Sequence, residues 1–229
     1  MSTPDLHLTT CLLLNDDGRI ISTREPQALR GPLFTLVRSA TSCAWAVRAD
    51  VPTHLADELD RLARDEPLTL DLRVTPVHAD RYVAILGERI EPIHQAGGPA
   101  FQFPDSLAPS AGVVLVEDER WLEHNFRGWA PSEIKAGRSP VLAIVENGDP
   151  VSICFCARRS GVAAEAGVQT AEAYRGRGYG ADVTAAWALA IRTSGRIPLY
   201  STSWTNHASL AVARKLSLVA YASSWSLSD

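Results

Sequence analysis

Cysteine is scarce in this chain, with Cys11, Cys43, Cys154 and Cys156 the only four in 229 residues. Neither their number nor their spacing makes a disulfide framework. Cys154 and Cys156 stand two apart in a strand-like run and so share one face, which reads as core packing before metal or redox chemistry. Long hydrophobic runs are lacking too. No stretch approaches the ~20 apolar residues of a membrane span, and the first residues carry no basic segment leading into an apolar one. A cytoplasmic, reduced setting is the expectation. Nor is positive charge in excess: 22 basic residues face 26 acidic ones, a formal net of -4. No global positive field draws the chain to nucleic acid or anionic lipid, so neither is expected as a partner, and no metal is expected. Phosphate on a small ligand stays open, because converging backbone N–H groups bind it without a basic surface.

What is present is a balanced globular composition, 46% hydrophobic and 21% charged, with no internal repeat or low-complexity tract. In the first hundred residues Thr10 to Leu14, the turn Asn15-Asp16-Asp17-Gly18 and Arg19 to Ile21 form a hairpin signature. Leu33 to Val37, Cys43 to Val47, Leu68 to Val74 and Tyr82 to Leu86 read as strands. Leu55, Leu59 and Leu62 fall at helical spacing behind Thr53 as N-cap. Between Glu91 and Ser110 lie Pro92, Gly97, Gly98, Pro99, Pro104 and Pro109, a density of breakers that suits a linker. The expected division is therefore 1–100 and 111–229.

In the second part Val113 to Val116 reads as a strand, followed by helical stretches at Glu119 to Phe126 and Ser132 to Ala136. Val141 to Val145 and Val151 to Ala157 flank a tight turn, and Val162 to Thr170 is a third strand running into Tyr174-Arg175-Gly176-Arg177-Gly178-Tyr179-Gly180. Beyond it Val183, Trp187, Ala190 and Ile191 mark the buried face of a helix ending at Gly195. Pro198 to Thr202, Asn206 to Leu216 and Leu218 to Trp225 complete the pattern as strand, helix and strand.

Strand, glycine-rich loop and helix start together make a phosphate site, where consecutive N–H groups converge at the positive end of the helix dipole. Arg175 and Arg177 add guanidinium groups at the rim. The loop lacks the Gly-Lys-Ser/Thr ending of a Walker loop. A dinucleotide fingerprint is unsupported, because Ala181 and Val183 follow the glycines and no acidic ribose ligand appears about twenty residues on.

The stretch Val168 to Gly180 resembles the strand-four to helix-three signature of the GNAT acetyltransferase superfamily, Gln/Arg-x-x-Gly-x-Gly/Ala, with Arg175, Gly178 and Gly180 at those positions. Asn206-His207-Ala208-Ser209-Leu210 and the residues through Leu216 resemble the family's helix-four signature. The resemblance covers about 111–229. It implies an α/β (α+β) fold with a mixed, mostly antiparallel central sheet flanked by helices, preceded here by a smaller mixed α/β domain that is either a worn GNAT-like half or a lid. It implies that acetyl-CoA is the co-substrate. Arg175, Gly176, Arg177, Gly178, Tyr179 and Gly180 would hold its pyrophosphate, Val168 and Thr170 its pantetheine arm, with Asn206 and Ser209 nearby.

Its implied activity is transfer of an acetyl group to a primary amine of a small molecule or protein, with a non-catalytic acyl-CoA-binding or sensing role as the alternative. A homodimer stays open as an assembly. Glu165, the acidic residue on the strand before the loop, is the candidate general base or amine anchor, against a solvent-facing strand-edge carboxylate. The family's tyrosine proton donor falls at Ala213, leaving Tyr200 as candidate substitute, Tyr221 and Ser201 as others. His207 reads as a surface residue. Trp121, Trp129, Trp204 and Trp225 are candidates for an acceptor pocket or for core. Because the chain ends soon after Trp225, the family's seventh strand is expected to be missing or supplied from elsewhere.

Overall fold

The structure, a computed structural model, describes residues 3–87, 92–108, 112–129 and 132–229. In chain order these form α1 (Thr3–Cys11), β1 (Leu12–Leu14), β2 (Ile20–Thr23), β3 (Phe34–Arg38), β4 (Cys43–Val47), α2 (Thr53–Arg64), α3 (Ala79–Gly87) and β5 (His94–Gln102). After them come β6 (Val113–Leu115), β7 (Leu142–Glu146), β8 (Asp149–Arg159), β9 (Ala163–Thr170), α4 (Tyr179–Thr193), β10 (Ile197–Ser201), α5 (His207–Lys215) and β11 (Val219–Ser228). Short 3-10 turns lie at Glu119–Leu122 and Glu172–Tyr174, and a wide π-type turn at Ile134–Arg138. Among the described residues no helix is long and apolar enough to cross a membrane.

β1 and β2 form a separate hairpin, and the other nine strands make one sheet in the order β4-β3-β11-β5-β10-β9-β8-β7-β6. Every pairing is antiparallel except β9 with β10. This is the mixed, mostly antiparallel α/β sheet expected from the sequence. β5, which precedes the second half in the chain, lies between β10 and β11. The stretch read as a linker is thus a central strand. It stays extended despite Gly97, Gly98 and Pro99 because nine residues of β11 pair along it. At Gly98 an added Cβ would fall 1.7 Å from the carbonyl oxygen of Thr202, so the glycine permits a backbone contact with the chain leaving β10.

Alternation along the strands sorts side chains between two faces. On one face Leu8 of α1 and Leu12 of β1 pack against Val37, Ala44, Ala46, Ala100 and Ala222. On the opposite face of β3 and β4, α2 and α3 bury Leu55, Leu59, Leu62 and Tyr82 against Phe34 and Leu36. α4 and α5 cover β8 to β10, with Val183, Trp187 and Ile191 seated on Cys154, Cys156, Ala164 and Ala166. Cys154 and Cys156 are core residues as read, and burial raises both thiol pKa values, Cys156 to about 11.

Four local expectations need correcting. Tyr82 to Leu86 is helical, since Tyr82, Ile85 and Leu86 share the buried side of α3. Leu68 to Val74 forms no strand and leaves Leu70 exposed. Helix α1 takes up Thr10 and Cys11, shortening the first hairpin strand to Leu12–Leu14. Finally, α2 starts behind Pro52 without a side-chain cap, so Thr53 is its first helical residue.

Candidate active site

β9 and β10 pair in parallel only at Ala163↔Ile197, Ala164↔Pro198 and Glu165↔Leu199. Beyond Glu165 the β9 edge facing β10 has no strand partner, and a cleft of roughly 750 Å³ opens there. At its far end α4 starts from Gly178, whose φ of +90° places it in the left-handed region that glycine favours. No side chain caps α4. Among the described residues, the N–H groups of residues 176 to 180 donate to no protein acceptor. Unused donors at a helix start, with the dipole behind them, form an anion site.

Of the residues expected to hold the cofactor, Val168, Thr170, Arg175, Gly176, Gly178, Tyr179 and Gly180 line this cleft, as do Asn206, Ser209 and Tyr200. Arg177 does not; it stacks its guanidinium 4.9 Å over Tyr174. Asn206 caps α5, its Oδ1 accepting from the Ser209 N–H at 3.0 Å. The Tyr179 hydroxyl donates to Glu146.

Two cations at the cleft escaped the sequence reading. Lys215 Nζ reaches the Gly178 carbonyl and Asp182 Oδ1, both at 3.3 Å, and Arg127 also lines the cleft. The signal for Lys215 was available: Ala208, Ala211, Val212 and Lys215 lie at i, i+3, i+4 and i+7 of one helix, a single face that lines the cleft.

Tyr200 is 1% exposed, its ring among Phe101 and Phe103. Its hydroxyl donates to the Ser209 carbonyl at 3.2 Å and lies 2.8 Å from Ser209 Oγ. Burial pushes its pKa up to about 12, so it keeps its proton at neutral pH. Tyr200 therefore reaches α5 from the neighbouring strand, while Ala213, where the donor would otherwise stand, is buried in the core beneath.

Glu165 stands apart from these residues. Its neighbours Ala164 and Ala166 pack under α4, so its own side chain points to the α1 face. It is 2% exposed rather than solvent-facing. Arg158 Nη1 lies 2.8 Å from Glu165 Oε2, the Ser201 hydroxyl donates to Oε1, and Cys11 Sγ lies 3.4 Å from Oε2. Burial pushes the carboxyl pKa up, but the Arg158 charge and these hydrogen bonds outweigh it and hold it below the ordinary value. His7, 4% exposed, has its pKa lowered by burial and is neutral near pH 7; its Nδ1 lies 3.1 Å from the Tyr221 hydroxyl.

A second cleft, of roughly 460 Å³, opens on this face. His7, Cys11, Glu25, Arg158 and Ser201 line it, with Gly97 and Gly98 of β5. None of the four tryptophans lines either cleft. Trp225 is core, Trp129 packs edge-on against Phe155, Trp204 lies under Arg73, and Trp121 is exposed and bonds the Gly148 carbonyl. His207 is on the surface, as read.

The fold that carries this site is a mostly antiparallel α/β sheet that parts beside an uncapped, glycine-started helix. Residues 137–222, from before β7 into β11, match the family model described as GNAT acetyltransferase. Among solved structures, a GCN5-related N-acetyltransferase from Sphaerobacter thermophilus is similar with a TM-score of 0.50 at 15% identity, covering 94% of this chain and 78% of that one. A functionally unknown conserved protein from Staphylococcus epidermidis ATCC 12228 is similar with a TM-score of 0.52 at 13% identity, covering 99% and 96%. With a GNAT-family protein from Novosphingobium aromaticivorans DSM 12444 (TM-score 0.49, 18% identity) the match covers 58% of this chain and spans 64% of that one, less than two thirds. No curated protein sequence matches.

Proposed function

We propose that this protein is an N-acetyltransferase that moves an acetyl group from acetyl-CoA to a primary amine of a small molecule or protein. The observation that carries the reading is the parting of β9 from β10 after Glu165, next to the free amides of Gly176 to Gly180. The amides suit the pyrophosphate, with Arg175 and Lys215 beside them. The open β9 edge at Val168 and Thr170 suits the amides of a pantetheine arm, which would lie there as a strand does. The thioester then falls near the apex of the cleft, between Tyr200 on one face and Ser201 on the other.

In this reading the amine enters by the second cleft and meets Ser201 and the Glu165 carboxylate. Glu165, held ionised by Arg158, suits an anchor for an ammonium group better than a base, because a lowered pKa makes a weak base. Water or a neutral incoming amine then accounts for proton removal. Tyr200, with its proton retained, is the donor to the CoA thiolate as the C–S bond breaks. Of the two roles considered for residues 1–100, a lid shaping the acceptor side is the one supported, since α1 and β5 supply His7, Cys11, Gly97 and Gly98 to that cleft. The carboxylate's occupation by Arg158, Ser201 and Cys11 favours, as a second reading, a cofactor-binding protein without turnover.

Calorimetric titration with acetyl-CoA and with CoA, repeated on Gly178→Asp, tests the cofactor site. The variant puts a negative charge where the pyrophosphate would lie, and a Cβ there meets Lys215 Nζ at 2.4 Å. Micromolar binding lost in the variant supports the site, and turnover in an amine screen then separates enzyme from sensor. Absence of wild-type binding overturns both readings.

A further inference from the structure

On the α1 face, three side chains of metal-binding type converge. His7 and Cys11 stand four residues apart on α1 and so project from one side of it. Glu165 meets them from β9. Their donor atoms all lie within 4.8 Å of one another, Cys11 Sγ being 3.4 Å from Glu165 Oε2 and 3.8 Å from His7 Nε2. Ligands on a tetrahedral zinc, with bonds of about 2.0 to 2.3 Å, lie about 3.3 to 3.8 Å apart.

We infer that His7 Nε2, Cys11 Sγ and Glu165 Oε2 form a binding site for a divalent cation of the zinc type, with its fourth position open to the second cleft. The Tyr221 hydroxyl, 3.1 Å from His7 Nδ1, occupies the other ring nitrogen and leaves Nε2 for the cation, as an outer-shell partner does in established zinc sites. One nitrogen, one sulfur and one oxygen make a borderline donor set that suits zinc, cobalt or iron rather than magnesium or calcium, which take oxygen ligands.

Charge balances as well. On binding, the Cys11 thiol gives its proton to solvent, and thiolate and carboxylate together neutralise the cation. Arg158 Nη1 stays 2.8 Å from Glu165 Oε2, on the oxygen's second lone pair, and Glu25, 2.6 Å from Arg158 Nη2, balances its charge. His7 and Cys11 line the second cleft, which provides the entry path. The inference runs against the expectation, read from the sequence, that no metal is bound. It does not depend on acetyl transfer.

The test uses the tag-free full chain, reduced and in chelator-free buffer, titrated with Zn²⁺ by calorimetry and with Co²⁺ by absorption. One cation per chain is expected, with a thiolate-to-cobalt charge-transfer band in the near ultraviolet and the visible bands of four-coordinate cobalt. Cys11→Ser removes the charge-transfer band, Cys11→Ser and His7→Gln each weaken zinc binding at least tenfold, and Cys43→Ser, outside the cluster, changes neither. The site is refuted by the absence of stoichiometric binding, by a charge-transfer band that survives Cys11→Ser, or by one that disappears with Cys43. Should circular dichroism show that either α1 variant has lost its fold, the wild-type spectrum beside that of Cys43→Ser still decides, because Cys154 and Cys156 are buried under α4.

Discussion

Tyr200 and Glu165 sit a few residues from the apex where β9 and β10 part, yet their surroundings give them opposite chemistry. Tyr200 loses solvent without gaining a cation, so its proton is held more firmly; Glu165 loses solvent but gains Arg158, so its proton is released more readily. Tyr200→Phe is expected to lower kcat about 100-fold, the scale of a lost general acid, while leaving KM for acetyl-CoA nearly unchanged. Steady-state kinetics in the two substrates measures that split, and a proportional rise in KM would reassign Tyr200 to cofactor binding. Because its pKa is about 12, kcat is expected to show no loss from Tyr200 ionisation between pH 7 and about 10; a decline there that Tyr200→Phe abolishes would contradict the assignment.

At the scale of elements, Gly98 carries the sharpest prediction. Alanine there would drive a Cβ into the Thr202 backbone, where neither β5 nor the chain leaving β10 can move without losing its pairing. Gly98→Ala is expected to cost at least ~2 kcal/mol by urea unfolding, as strain of this kind does. The same residue shows why part of the fold was hidden in the sequence. Gly97, Gly98 and Pro99 have poor strand propensity, and the β11 pairing that overrides it comes from far along the chain. By contrast, α2 and α4 were legible because their burial follows local periodicity, and the turn between β9 and α4 because its glycines and the following helix are contiguous. Glu165 was legible as a residue but not in its setting: Arg158 pairs with it only across the β8–β9 hairpin, and His7 and Cys11 come from a helix whose mixed residues show little apolar periodicity.

At the scale of the whole molecule, the first half is built into the sheet that carries the larger of the two clefts. A fragment of residues 111–229 lacks β5, leaving β10 and β11 without the strand between them, and is expected to show no cooperative unfolding transition by circular dichroism. A cooperative transition would mark it as an independent domain. The halves are also tied by charge: Asp229 holds Arg48 through two bonds of 2.8 and 2.9 Å and also reaches Arg30 at 2.8 Å. Hydrogen bonding to Arg48 lowers the Asp229 pKa to about 2. A depressed carboxyl pKa contributes stability that is complete above the ordinary value near 4 and disappears as pH falls through about 2. Asp229→Asn is therefore expected to cost roughly 1 kcal/mol at pH 7, discounted for its partial exposure, with the gap from wild type closing between pH 4 and 2 in acid-unfolding curves.

The interposed position of β5 has a further meaning for a chain that is made from one end. Both strands that flank it are synthesised long after it, so during elongation its backbone donors and acceptors must wait for partners that do not yet exist. A strand rich in valine and isoleucine would use that interval to pair with whatever it met, including copies of itself. Gly97, Gly98 and Pro99 make β5 a reluctant strand until β10 and β11 arrive together, so the residues that disguise it in the sequence also shield it while the protein is being born.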